Sequence, residues 1–76
     1  MEYRRLRDLR EDNDLKQINL ANYLRIADST YGGYETGQRG IPSEVWSRLA
    51  DYYDTSVDYL MGRTDEKRPY PRKRVK

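Results

Sequence analysis

The apolar residues of this chain recur three and four positions apart, in short segments separated by breaks. Leu6 and Leu9 share a face with Asn13 among charged neighbours, and Tyr3 and Arg10 extend it. That spacing predicts an amphipathic helix over 3–13. Asn13 and Asp14 form the break after it, since both side chains tolerate turn conformations. Leu20, Ala21 and Leu24 line a short second helix over 16–24. Lys16 is a poor cap for it, and Asn19 cannot close a capping box as Glu would. Asp28 or Ser29 can cap a third helix that runs to about Thr36. Gly37 and Gly40 punctuate a loop, and Pro42-Ser43 opens a fourth helix whose apolar face is Val45, Trp46, Leu49, Ala50 and Tyr53. A fifth is expected to start at Thr55, with Asp58 as a partial capping-box partner, and to end before Gly62, which suits a C′ glycine. No segment of period two is long enough to build a sheet. The expected fold class is all-α, a compact five-helix domain.

At 76 residues the chain is one domain with a marginal core, the kind that survives by tight helix packing. It has no cysteine, which removes disulfides and thiolate zinc sites, and no histidine, which removes the commonest general base and metal ligand. Clustered carboxylates such as Glu11, Asp12 and Asp14 could in principle bind a metal, but no catalytic motif accompanies them; no enzyme, metal or cofactor is expected. No apolar run approaches the ~20 residues of a membrane span. The opening MEYRRLRDLR lacks the apolar stretch of a secretory signal, so a cytoplasmic location is expected. Residues 1–66 carry nine basic and thirteen acidic side chains, whereas 67–76 (KRPYPRKRVK) carry six basic and none acidic. The pI of 9.0 is therefore a property of the tail. The expected boundary lies between a domain at 1–64 and a basic, disordered tail at 65–76, which either tracks phosphates nonspecifically or is simply solvated. Tyr31, Tyr34, Tyr53 and Trp46 fall on inward faces, while Tyr23 and Tyr52 are candidates for a dimer contact.

Leu15 to Gly37 reads LKQINLANYLRIADSTYGGYETG. With Leu15, Gln17, Leu20, Ala21, Leu24, Ile26, Ser29, Thr30, Tyr31, Tyr34, Glu35 and Gly37 in register, it resembles the lambda-repressor/Cro-type (Xre) helix-turn-helix domain. The resemblance continues through Ile41-Pro42 and residues 49–65. It implies a partner, double-stranded DNA, read in the major groove by the third helix. The physics agrees. A short turn around Arg25-Ile26-Ala27 crosses the second and third helices steeply and lets the third protrude, while the start of the second offers free N–H groups to a phosphate.

By resemblance the base-facing positions are Asp28, Ser29, Gly32 and Gly33, and these lie on the side of the third helix opposite Ile26, Tyr31 and Tyr34. Asp28 either accepts from a cytosine amino group or serves as a charge at the helix N-terminus. Gly32 and Gly33 carry no reading groups. They permit close backbone approach to DNA, or mark low base specificity, or belong to a helix used for another partner. A large residue at Gly33 is expected to cost little in folding. Gln17, Lys16, Thr30, Gln38, Arg39 and Arg10 are the expected phosphate contacts; for Arg39 the alternative is a solvated loop charge. The resemblance also implies that Arg10 pairs with Glu35, either aiming Arg10 at a phosphate or only locking the first helix to the third. The reading is a DNA-binding regulator, with repression favoured because no effector domain is visible. If DNA is bound, symmetry implies a homodimer, small or assembled on DNA, that reads two half-sites about one helical turn apart. The other reading is a protein-interaction module on the same fold, antitoxin-like or an anti-repressor partner. No small-molecule ligand is evident.

Overall fold

The computed structural model describes residues 3–69. Among them the chain forms five helices and no strand: α1 (Arg4–Asp12), α2 (Gln17–Leu24), α3 (Asp28–Thr36), α4 (Ser43–Tyr53) and α5 (Val57–Leu60). Each presents an apolar stripe to one centre. Leu6 and Leu9 come from α1, Leu20, Ala21 and Leu24 from α2, Tyr31 and Tyr34 from α3, Trp46, Leu49 and Ala50 from α4, and Leu60 from α5. Leu6, Leu20, Leu49 and Leu60 are fully buried, so four helices meet in leucines each worth roughly 2 kcal/mol of burial. Tyr3 closes one edge, its ring edge-on to Trp46 at 4.9 Å. Tyr53 is half-buried at the core margin.

The connections are tight because four helices end in Schellman motifs, in which two backbone N–H groups turn back onto the last carbonyls. Asp14, Arg25, Asp54 and Gly62 occupy the left-handed position, with φ of 56°, 60°, 53° and 80°. The paired bonds are Asp14 to Glu11 and Leu15 to Arg10, Arg25 to Asn22 and Ile26 to Ala21, Asp54 to Asp51 and Thr55 to Ala50, and Gly62 to Tyr59 and Arg63 to Asp58.

The helix starts differ from expectation in three places. Asn19 does reach back: its Oδ1 accepts from the Lys16 N–H at 2.8 Å, half of a capping box, while Lys16 has no acceptor to supply the other half. Ala27 stands at the N-cap of α3, so Asp28 lies inside the first turn as a favourable charge rather than a cap. Ser56, not Thr55, caps α5, accepting from the Tyr59 N–H at 3.0 Å. Thr55 is instead buried and donates to the carbonyl of Lys67.

That bond belongs to a second difference. Residues 65–67, expected to be disordered, fold back with Thr64 over α1 and α5. Arg5 holds them, its guanidinium 4.1 Å from the Tyr59 ring and donating to the carbonyls of Tyr59 and Thr64 and to Asp65. The remainder of the expected tail, 70–76, lies outside the described residues. No helix among the described residues is long and apolar enough to cross a membrane.

Candidate nucleic-acid interface

α2 and α3 pack directly on each other across the Arg25-Ile26-Ala27 turn. The left-handed Arg25 ends α2, and Ile26 tucks partly into the core, so the chain turns into α3 with the first turn of that helix outward. Asp28 and Ser29 are exposed there, and Thr30 is half-buried. Lys16, Gln38 and Arg39 are also exposed, while Gln17 is half-buried at the start of α2.

Glu35 sits beneath this surface and fastens four parts of the chain. Its carboxylate accepts from Arg10 Nε at 2.8 Å and Arg10 Nη2 at 3.2 Å, and from Gln17 Nε2 at 3.2 Å. Arg10 Nη1 also donates to the Leu15 carbonyl at 3.0 Å, which ties in the α1–α2 loop. Three of the five N–H donors of a guanidinium are thus committed inside the protein, and the Arg10 side chain is only 12% exposed, against 4% for Glu35. This geometry fits a fastener better than a phosphate contact. Burial opposes the charge on Glu35, but the polar groups around it, the Arg10 guanidinium foremost, outweigh burial and hold the carboxyl below its ordinary range. The Tyr31 hydroxyl is buried alongside, and burial first, then the Glu35 charge, push its phenol up.

The two glycines are not open ground. Gly32 is half-buried because Gln17 lies over it: a Cβ there would stand 3.3 Å from Gln17 Oε1. Glycine at 32 lets the Gln17 amide rest on α3 and reach Glu35. Gly33 is buried outright, a correction to its expected exposure, and the cover comes from the loop rather than the core. The methylene stem of Arg39 lies across it, and a Cβ at 33 would stand 2.9 Å from Arg39 Cγ and Cδ. A large residue at 33 must displace that arginine. The helix was oriented correctly toward the core by Tyr31 and Tyr34; the returning loop was not visible in its periodicity.

Arg48 is a bracing residue that no local pattern announced. It donates to the carbonyls of Tyr23 at 2.7 Å and Leu24 at 3.4 Å, the unpaired end of α2. The Tyr23 hydroxyl answers by donating to the Arg48 carbonyl at 2.9 Å. The Tyr23 ring also packs against Tyr52, centroids 4.7 Å apart and tilted by 51°, so this pair braces α2 on α4. Tyr52 remains partly exposed, as does Ile18.

Residues 4–60 match the helix-turn-helix domain family. Over 65 residues, 86% of this chain and 58% of the relative, the sequence is 45% identical to YobD, an uncharacterized HTH-type transcriptional regulator of Bacillus subtilis (strain 168). It is 42% identical over 67 residues to the HTH-type transcriptional regulator AnsR of the same organism, covering 88% of this chain and 58% of AnsR. Identity to the cryptic phage CTXphi transcriptional repressor RstR of Vibrio cholerae is 31% over 61 residues, covering 80% of this chain and 55% of RstR. The chain therefore spans little more than half the length of these relatives. No solved structure matches.

Proposed function

The chain belongs to the helix-turn-helix domain family, and from that premise we propose that it is a sequence-specific regulator of transcription that places α3 in the major groove of double-stranded DNA. The observation that carries this reading is the outward first turn of α3, with exposed Asp28 and Ser29 flanked by exposed Lys16 and Arg39. The exposed N-terminal turn of the recognition helix, here α3, is the part that meets base edges in this geometry. Lys16, Gln17 and the first N–H groups of α2 face a phosphate, and Thr30 and Gln38 supply further polar contacts to the backbone. Glu35 and Arg10 act from beneath by fixing Gln17 and α3 relative to α1.

Its action is occupancy of a site rather than catalysis, with repression as the outcome, in the cytoplasm where the DNA lies. Two copies read two half-sites about one helical turn apart. The test is selection of binding sites from random duplex DNA, followed by a salt titration of the selected site. Enrichment of one site is expected, with log affinity falling linearly in log salt at about 0.9 per phosphate neutralised. No enrichment, together with salt-insensitive binding, would overturn the reading in favour of a protein-interaction module.

A further inference from the structure

We propose that Arg39, a loop residue beyond the end of α3, is the base-reading side chain of this surface, carried onto the recognition face across Gly33 and selective for guanine. The inference rests on the DNA-binding reading above and deepens it. Gly33 lies four residues after Ser29, so it shares that residue's face of the helix. A side chain rooted there would meet the groove, yet glycine has none to offer. The structure fills that place from elsewhere. After the left-handed Gly37, with φ of 81°, the chain doubles back, and the Arg39 N–H donates to the Gly33 carbonyl at 3.1 Å. This bond pins the Arg39 backbone beside α3. The stem then runs over the bare Cα of Gly33, with Cγ and Cδ each 2.9 Å from where a Cβ would be. Real Cβ atoms do not approach that closely, so only glycine leaves this path clear.

The head of Arg39 has no hydrogen bond or ion pair among the described residues, and the residue is exposed. Arg4, Arg7 and Arg25 are exposed as well, but none is seated on the outer face of α3. Arg5, Arg10 and Arg48 have their heads committed inside the protein. Arg39 is therefore an arginine whose stem packs on α3 at Gly33 and whose head has no hydrogen-bond partner among the described residues. A guanidinium so placed matches the O6 and N7 acceptors of guanine, the commonest specific pairing in the major groove. Its planar fork makes that pairing bidentate, which the point charge of lysine cannot reproduce. Asp28 and Ser29 then read beside it, Asp28 as acceptor and Arg39 as donor.

The test uses the full chain and the site it selects from random duplex DNA, with Arg39→Lys, Arg39→Ala and Gly33→Ala compared on all substitutions of that site. The expected result is that Arg39→Lys loses about tenfold or more of the preference for guanine at one position. That loss should exceed any uniform fall in affinity. Gly33→Ala, whose backbone is ordinary helix, should stay folded by thermal melting and weaken the preference at that same position, because its Cβ moves the arginine stem. If both Arg39 variants keep every base preference and lose affinity uniformly, with a shallower salt slope for the alanine, Arg39 is a phosphate contact. That result would overturn this inference and leave the regulator reading standing. If Gly33→Ala leaves the preference untouched, delivery across Gly33 is wrong. A wild-type chain that selects no site would remove both readings together.

Discussion

Glu35 shows how one side chain sets the geometry of a surface it does not reach. It is nearly inaccessible, and its three hydrogen bonds join α1, α2 and α3. Replacing it by Gln keeps the shape but removes the charge that Arg10 faces, leaving a largely buried guanidinium without its partner. Glu35→Gln should therefore lower stability by about 2–3 kcal/mol in urea unfolding at neutral pH. The pH dependence follows from the direction of the shift. The folded carboxyl titrates below its unfolded value, so its stabilisation is present in full above the ordinary carboxylate range and is lost as pH falls through the folded value. The gap between wild type and Glu35→Gln should accordingly hold at neutral pH and close below about pH 4. A gap that widens on acidification would mean that Glu35 is protonated in the folded protein.

At the scale of the helix and its ends, the chain is legible where local chemistry decides and opaque where distant residues do. Five helices in the right order follow from apolar spacing and from Asn13-Asp14, Gly37 and Pro42, because each of those signals acts within one turn. The start of α5 was displaced by one residue because Thr55 and Ser56 are equivalent caps locally; Thr55 is drawn off by a carbonyl twelve residues on. In the same way Gly33 faces outward by periodicity, yet a loop residue covers it. The turn between α2 and α3 holds a less visible feature. Arg25 ends α2 at φ 60°, a conformation that costs a residue with a Cβ roughly 1–2 kcal/mol. Glycine escapes that cost but loses about 0.4–1 kcal/mol through greater freedom in the unfolded chain. Arg25→Gly should thus be more stable than Arg25→Ala by about 0.5–1 kcal/mol, the reverse of the order inside a helix. Thermal melts of the two variants decide it, and alanine coming out ahead would show that the turn relaxes away from the left-handed geometry.

Over the whole molecule, charge is separated along the chain rather than balanced within it. Residues 1–66 sum to −4 and the last ten to +6. On the proposed reading, an acidic body is repelled by a polyanion except where cations are brought forward, so long-range attraction is expected chiefly from residues 67–76, and registration from the helical body. These contributions separate experimentally, because nonspecific electrostatic binding tracks the number of phosphates neutralised while base preference does not. Removing residues 70–76 takes away Arg72, Lys73, Arg74 and Lys76 but spares Lys67, whose carbonyl accepts from Thr55. The folded body should therefore keep its melting temperature. If all four cations meet phosphate, the slope of log affinity against log salt should shrink by up to about 3.6, at 0.9 per contact. Affinity for unrelated duplexes should fall by the same factor as affinity for the selected site, so the ratio between them stays constant. A truncated chain that prefers a different site would show that the segment reads bases, and the division between an attracting end and a reading body would have to be abandoned.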